Sequence, residues 1–277
     1  MENCFVHIGG AKCASSYIRS SILSKLKKAK YYERGGEVCE LVKKYCTGKE
    51  NAKPCWGEGV TEKVVISHEG LSIYEGKKGE IAKRLRDILP KAKIIYVIRE
   101  QRDWLSSRYS QDLKNYMGVR TKYYRFKDWL EGKLHKELSK SNPTSIYYRP
   151  VERVKYDKIL ESYMSQFEEV KIFKYENLKR EERFVQKICK YIGEENISED
   201  VKKSEKINKR DSLYKEIIQK KMAGIKGHKR ISKLMSRVMP YKKPDRRELV
   251  PERYLSVFRD TNESLKSMGI ELTDEYL

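Results

Sequence analysis

The chain has 277 residues, of which 39% are hydrophobic, and this is enough to bury the core of one domain or of one domain with an appendage. Charged residues make up 36% of the chain and the formal net charge is +21, so the expected partner is anionic: a nucleotide, an acidic glycan, a nucleic acid or a lipid surface. No apolar run reaches the roughly 18 residues of a membrane-spanning helix, and no signal-peptide pattern is present. We therefore expect a cytoplasmic protein, with peripheral binding to a membrane as an alternative.

The first predicted elements are a strand, a loop and a helix. Residues 4–8 form a short apolar run, typical of a buried strand, that ends at Gly9 and Gly10. After a stretch of small residues, apolar side chains recur at helical spacing from Tyr17 to about Lys28. These residues therefore predict a strand–loop–helix unit.

The loop of this unit has the composition of a phosphate-binding loop. Its sequence over residues 9–17 is Gly-Gly-Ala-Lys-Cys-Ala-Ser-Ser-Tyr. Small residues let the backbone approach an anion closely, and the N–H groups at the start of the next helix point towards it. Lys12 adds a cation, and Ser15 and Ser16 add hydroxyl donors. The loop is not a Walker A motif, which needs Gly-Lys-Ser/Thr, and an ordinary turn with a solvated lysine is the alternative.

A second strand is predicted over residues 63–67, the next strongly apolar run along the chain. It is followed at once by His68 and Glu69, and each of these side chains can act as a general acid or base. A helix over residues 81–89 then stops at Pro90. His68 and Glu69 are therefore expected at the carboxyl end of a strand.

The third predicted strand, residues 93–98, ends at Arg99 and is followed by a helix over residues 104–116. An arginine at the carboxyl end of a strand can bind a phosphate through two N–H groups. Ser107, eight residues later, can donate to the same phosphate. The alternative is that Arg99 pairs with a neighbouring acidic residue.

A fourth strand, residues 170–175, precedes a helix over residues 185–192. Strands that alternate with helices predict an α/β fold in three layers with a mainly parallel central sheet, whose ligands bind beyond the carboxyl ends of the strands. We expect residues 1–200 to form the α/β core. Residues 201–277 are expected to form a basic helical C-terminal region packed on the same domain.

The C-terminal region concentrates the positive charge. Residues 202–247 contain 17 Lys or Arg against 4 Asp or Glu, so they hold 13 of the 21 net positive charges. Such a segment can attract an acidic glycan or an anionic membrane, or simply form a solvated surface.

The loop and the third-strand motif together resemble the nucleotide-dependent sulfotransferase family. There, a loop of the type Pro-Lys-x-Gly-Thr-Thr follows the first strand; residues 11–16, Ala-Lys-Cys-Ala-Ser-Ser, match it position by position, although only the lysine is identical. The family's second motif is a strand ending in Arg with Ser eight residues later, which Arg99 and Ser107 fit. Residues 175–178, Tyr-Glu-Asn-Leu, resemble the family's Tyr-Glu-Asp-Leu after a late strand. Residues 98–104 resemble the corresponding segment of bacterial members that act on carbohydrates.

The resemblance implies a P-loop-like sulfotransferase fold, with residues 1–200 as the donor-binding catalytic core. It also implies a nucleotide donor, 3′-phosphoadenosine 5′-phosphosulfate (PAPS), with adenosine 3′,5′-bisphosphate (PAP) as product. Lys12 would neutralise charge on the bridging oxygen as the donor's sulfur–oxygen bond breaks. Arg99 and Ser107 would bind the 3′-phosphate, and a later basic segment, with Lys209 and Arg210 as candidates, would close that pocket. The residues implied at the 5′-phosphate are Lys12, Cys13, Ala14, Ser15, Ser16 and Tyr17.

An acceptor group must lose a proton, so a general base should lie near the sulfur. Members of the family use either a His or a Glu near the end of the second strand. Glu69 is our first choice and His68 the second, and a structural role for both is the alternative. No metal is expected, since none of the six cysteines lies in a C-x-x-C pair.

The resemblance therefore implies a PAPS-dependent sulfotransferase that acts on a hydroxyl or amine, and together with the basic charge it favours a carbohydrate or glycolipid, neutral or acidic, as the acceptor. A nucleotide or small-molecule kinase is one alternative, but it needs a Gly-Lys-Ser/Thr loop and an acidic metal ligand. A basic nucleic-acid-binding module is another, but it should spread basic and aromatic residues over one face. No nucleic-acid partner is expected.

Overall fold

The computed structural model of the chain describes residues 3–54, 63–72, 79–117, 121–141, 150–180, 182–194, 230, 234 and 246–276. Contacts between residues divide the chain into two units. The first unit contains Met1–Glu100, Lys155–Ile207 and Glu263–Thr273, and the second contains Gln101–Val154, Asn208–Asn262 and Asp274–Leu277.

The first unit is built on a five-stranded sheet in the order β2-β3-β1-β4-β5, and every neighbouring pair of strands is parallel. The central strands β1, β3 and β4 are almost fully buried, and β3 and β4 are rich in Val and Ile, as expected for strands covered on both faces. The strands are β1 (Cys4–His7), β2 (Ala29–Tyr32), β3 (Lys63–Ser67), β4 (Lys93–Ile98) and β5 (Val170–Lys174).

The helices of the described residues, numbered in chain order, lie between and after these strands. They are α1 (Ser15–Ser21), α2 (Glu37–Cys46), α3 (Glu80–Ile88), α4 (Gln101–Asn115), α5 (Phe126–Leu130), α6 (Lys133–Ser141), α7 (Tyr156–Met164), α8 (Tyr175–Arg180), α9 (Glu182–Ile192) and α10 (Glu252–Ser267).

The strand order places helices on both faces of the sheet. The connection from β1 to β2 runs towards one edge, whereas those from β2 to β3 and from β3 to β4 run towards the other. Since parallel crossovers are almost always right-handed, α1 lies on one face and α2 and α3 lie on the opposite face. In agreement, α2 packs against α3. The helix α9 also covers the sheet, since its Tyr191 packs edge-on against Phe5 of β1. The predicted three-layer α/β fold with a mainly parallel sheet is confirmed.

The second unit has an aromatic core formed by α4 and α5. The rings of Tyr109, Phe126 and Trp129 pack against one another with centroids 5.3–5.7 Å apart. The indole N–H of Trp129 donates to the buried carboxylate of Asp112 at 2.9 Å, so the polar edge of this large side chain is satisfied. The guanidinium of Arg246 lies over the Tyr109 ring, 4.8 Å from its centroid.

Some elements differ from the sequence expectation. The helix expected to reach about Lys28 ends at Ser21 and is followed by a short 3₁₀ helix, Leu23–Lys25. The strand β2 was not predicted, because it is a four-residue edge strand, half exposed and without a strong apolar run. The helix α2, which follows it, was not predicted either. Most of the basic segment over residues 202–247 lies outside the described residues. None of the helices within the described ranges is both long and apolar enough to cross a membrane.

Candidate functional site

The candidate site lies at the carboxyl edge of the sheet, where the segments after β1, β3 and β4 begin. Neighbouring strands β1 and β4 send their connections towards opposite edges, β1 towards β2 and β4 towards β5. Such a switch point opens a crevice between the two connections, and ligands of α/β sheets bind there. The two phosphate-type motifs predicted from the sequence follow these two strands.

The loop after β1 is a tight turn around one carbonyl. Lys12 and Ala14 adopt left-handed backbone conformations, with φ values of 66° and 63°. The carbonyl of Gly10 accepts the N–H of Cys13 at 3.2 Å and the hydroxyl of Ser15 at 3.0 Å. Two left-handed residues without glycine store backbone strain, which in proteins is concentrated at functional sites.

Gly9 lets this loop pass directly over a buried histidine. A Cβ at Gly9 would lie 2.4 Å from Nε2 of His7 and 2.7 Å from Oγ of Ser15, so no larger residue fits. His7 is buried and its Nδ1 lies 2.8 Å from the Ser67 hydroxyl. Burial lowers the pKa of His7 to about 3, helped by the charge of Arg19, so the ring supports the loop as a neutral group.

Arg99 joins the two predicted motifs. Its Nη1 donates to the carbonyl of Lys12 at 2.7 Å, and its guanidinium stacks on the ring of Tyr175, 4.1 Å from the centroid. The Arg99 carbonyl accepts the hydroxyl of Tyr156 at 2.7 Å. With only 5% of its surface exposed, Arg99 is held at both its backbone and its side chain, and it fixes the position of the loop.

Glu69, at the start of a 3₁₀ turn after β3, is held by two arginines. Its Oε1 accepts from Nη1 of Arg19 at 3.1 Å and its Oε2 from Nη1 of Arg34 at 3.4 Å. Nη2 of Arg19 also donates to the Ser16 hydroxyl at 3.3 Å. Arg19 therefore links the first-choice base directly to the predicted phosphate loop.

The end of the same turn is also tied to the loop. The hydroxyl of Ser72 lies within hydrogen-bonding distance of the carbonyl of Gly9, at 3.2 Å, and of the carbonyl of Glu69, at 3.0 Å. The turn Glu69–Ser72 and the loop after β1 are thus connected by a side chain at each end, which fixes the distance between Glu69 and the loop.

His68, the second-choice base, uses both of its ring nitrogens within the protein. Its Nδ1 accepts the N–H of Gly70 at 2.8 Å, and its Nε2 lies 3.1 Å from Oε1 of Glu40. The ring is almost completely buried, and this burial lowers the pKa of His68; the charge of Lys43 acts in the same direction, while Glu40 opposes it. A ring with two internal partners presents neither nitrogen to a ligand.

The remaining predicted site residues are distributed as follows. Ser15, Ser16 and Tyr17 form the first turn of α1, whose N–H groups have no acceptor within the helix. Ser107 lies buried in α4, in the second unit, so its link to Arg99 is an argument from sequence spacing alone. Lys209 and Arg210 lie outside the described residues.

Sequence reasoning missed Arg19, Arg34 and the stacking role of Tyr175. Arg19 follows Ser15 by four residues and Ser16 by three, so a helix starting at the loop places it on the same face as both serines. This spacing could therefore have predicted that Arg19 lies near the two serines. The contact of Arg34 with Glu69 was not predictable, because it requires β2 to lie beside β3, and no local sequence pattern indicates that pairing.

Comparison with known proteins agrees with the observed fold. A crystal structure of a sulfotransferase from Alicyclobacillus acidocaldarius has a similar fold, with a TM-score of 0.51 and 19% sequence identity over 70% of this chain and 81% of that chain. No curated protein matches the chain significantly. The family model named Sulfotransferase domain matches residues 84–260, which include Arg99 and Ser107 but not Lys12 or Glu69. Because this match spans more than half of the chain, the protein belongs to the sulfotransferase domain family.

Proposed function

We propose that this sulfotransferase takes a sulfuryl group from PAPS and transfers it to a hydroxyl or amine of a carbohydrate or glycolipid. The observation that carries the proposal is the hydrogen bond from Arg99 to the Lys12 carbonyl, which joins two phosphate-type motifs 87 residues apart in the sequence. A donor that carries both a 3′-phosphate and a 5′-phosphosulfate needs two neighbouring anion sites, because both groups are attached to the same ribose. Neighbouring motifs at a switch point of the sheet are suited to this.

In this proposal the 5′-phosphate binds at the start of α1. The first-turn N–H groups of Ser15, Ser16 and Tyr17 can donate to it because they have no acceptor within the helix. The Ser16 hydroxyl accepts a hydrogen bond from Arg19, so its own proton can be donated to a phosphate oxygen. Cys13 contributes by shaping the turn, since its N–H already donates to Gly10.

Lys12 has the electrostatic role in the transfer step. The acceptor oxygen or nitrogen forms a bond to sulfur while the bond from sulfur to the 5′-phosphate oxygen breaks, and its electron pair stays on the phosphate. Negative charge grows on that oxygen only as the reaction proceeds, so an ammonium placed beside it lowers the barrier rather than strengthening ground-state binding. Lys12 lies in the tight turn directly before α1, in the same loop as the proposed 5′-phosphate site.

Glu69 is the proposed general base and takes the proton that leaves the acceptor. Arg19 and Arg34 orient its carboxylate, and Arg19 also contacts Ser16 of the loop. An ion pair that spans the base and the phosphate loop supports this role, because a general base must lie within hydrogen-bonding reach of the reacting group.

The other assignments rest on the sequence. Arg99 and Ser107 are proposed to bind the 3′-phosphate, with Lys209 and Arg210 closing the pocket. A net charge of +21 and 20 tyrosines favour a saccharide or glycolipid acceptor, itself anionic in the simplest case. The proposed compartment is the cytoplasm.

The test is transfer of label from sulfur-labelled PAPS to a panel of acceptors: neutral and acidic oligosaccharides, a glycolipid and a simple phenol. We expect label on a saccharide or glycolipid and release of PAP in equal amount. The Lys12→Ala variant serves as the background control. Label on the phenol alone would contradict the acceptor class, and binding of neither PAPS nor PAP would contradict the donor.

A further inference from the structure

The turn that carries Glu69 is closed by the ring of the residue before it. His68 follows β3, and its own N–H donates to the carbonyl of His7 at 3.1 Å. The chain then folds back so that the Gly70 N–H donates to Nδ1 of His68 at 2.8 Å and the Leu71 N–H to the His68 carbonyl at 3.1 Å. Glu69 lies between the two residues that this ring joins.

The fit between the ring and the turn is close. A Cβ at Gly70 would lie 2.8 Å from Nδ1 and 2.9 Å from Cε1 of His68, so only glycine lets the backbone approach this nitrogen. On the other side of the ring, Glu40 of α2 accepts from Nε2 at 3.1 Å. The imidazole is therefore clamped between a backbone N–H and a carboxylate.

These partners fix the tautomer of His68. A nitrogen that accepts an N–H must carry a lone pair, so Nδ1 has no proton and the proton of the neutral ring lies on Nε2, where it is donated to Glu40. A protonated ring would also carry a proton on Nδ1. That proton would face the Gly70 N–H, and the hydrogen bond that closes the turn would be lost.

We infer that His68 is a positioning residue, whose neutral ring holds the turn Glu69–Ser72 in place through the Gly70 N–H, and that it does not itself take the acceptor's proton. The inference rests on the proposed role of Glu69 as the base. It also explains why a histidine and a glutamate occur side by side: one carries the chemistry and the other sets the backbone that presents it.

The charges around the ring agree with a neutral histidine. Lys43 of α2 and Arg34, which follows β2, lower the pKa of His68 in addition to burial, whereas Glu40 raises it. His7, the residue of β1 that pairs with Ser67, is itself neutral because its pKa is lowered to about 3. The net direction for His68 is downward from 6.5, so the ring stays neutral and the turn stays closed at and above neutral pH.

Two substitutions separate positioning from proton transfer. In His68→Asn the amide oxygen can occupy the place of Nδ1 and still accept the Gly70 N–H, but no group that titrates near neutrality remains. In His68→Leu the acceptor is lost. We expect PAP release from PAPS, with water as the acceptor, to be at least about tenfold faster in the Asn variant than in the Leu variant. Equal and severe losses, about 100-fold or more in both, would overturn the inference in favour of a base.

A second readout needs neither donor nor acceptor. Long-range proton–nitrogen correlation spectra report which ring nitrogen carries the proton, and with four histidines in the chain the His68 signals are assigned by their loss in His68→Asn. We expect a proton on Nε2 and none on Nδ1 near pH 7.5. We also expect the Gly70 N–H to exchange faster with solvent in His68→Leu than in His68→Asn. A proton on Nδ1, or equal exchange in the two variants, would overturn the inference.

The two readouts distinguish failure of the inference from failure of the proposed function. If the unaltered protein binds neither PAPS nor PAP, the proposed donor is wrong. The tautomer and the Gly70 exchange rate then still decide whether His68 closes the turn.

Discussion

Replacing Ala14 by glycine should stabilise the protein. Ala14 has φ 63° and ψ 14°, the left-handed conformation, and it precedes α1 without a side-chain capping bond. A residue with a Cβ is destabilised by roughly 1–2 kcal/mol in this conformation, because its Cβ approaches the following carbonyl. Glycine removes that strain but adds about 0.4–1 kcal/mol of unfolded-state entropy, so the expected net gain is about 0.5–1 kcal/mol.

Ala11 is the matched control in the same loop. It does not have a positive φ, so glycine there relieves no strain and should only add unfolded-state entropy, which lowers stability by about 0.4–1 kcal/mol. By size scaling, Ala14→Gly should raise Tm by about 1–4 °C and Ala11→Gly should lower it by a similar amount. The motif that this loop resembles has glycine at the position of Ala14, which fits a backbone that favours glycine.

Thermal unfolding followed by circular dichroism measures both variants against the unaltered protein. The reasoning would be refuted if Ala14→Gly lowered Tm as much as Ala11→Gly does, since the loop would then not hold Ala14 in the left-handed conformation. Affinity for PAP provides a further check, because a loop whose shape is retained should bind PAP within about threefold of the original value.

Four other predictions concern the site and its titration. Lys12→Ala should lower kcat about 100-fold or more and change the Kd for PAP by less than about threefold; equal losses in both would contradict its role in the transition state. Arg99→Ala should weaken PAP binding measured by calorimetry and also lower Tm, because a buried hydrogen bond and a ring contact are lost; unchanged PAP affinity would count against its phosphate role. Glu69→Gln should lower kcat by about 100-fold or more while PAP affinity stays within a few-fold, and a kcat near that of the original protein would exclude it as the base. Burial lowers the pKa of His7 to about 3 and that of His135 to about 4, so the stabilisation linked to their neutral forms is complete above pH 6.5 and is lost as the pH falls towards these values. Urea unfolding at pH 7.5 and pH 5 should show this loss, at up to about 1.4 kcal/mol per pH unit for each histidine, and equal stability at the two pH values would contradict it.

Local patterns were sufficient to predict the elements that define the fold. The strands β1, β3 and β4 are short and buried, β3 and β4 are rich in Val and Ile, and polar side chains follow these two strands at once, so both the parallel sheet and its functional edge follow from the sequence. The loop around Lys12 and the arginine after β4 were likewise predictable, since each depends only on a strand and the residues that immediately follow it.

The contacts between these segments could not be predicted, because they depend on tertiary pairing. The hydrogen bond from Arg99 to Lys12 requires β1 and β4 to be neighbours, and the contact of Arg34 with Glu69 requires β2 to lie beside β3. The choice between Glu69 and His68 also depended on partners, since the Gly70 N–H and Glu40 that hold the histidine ring are recognisable only in the folded chain.

Calorimetric titration with PAP, with AMP and ADP as controls, tests the central claim most directly. The account predicts tight binding of PAP that is strongly weakened when the 3′-phosphate is absent, because the loop after β1 and Arg99 are proposed to bind the two phosphates separately. Equal affinity for PAP, ADP and AMP, or no binding of any of them, would show that Lys12 and Arg99 do not form a PAPS site.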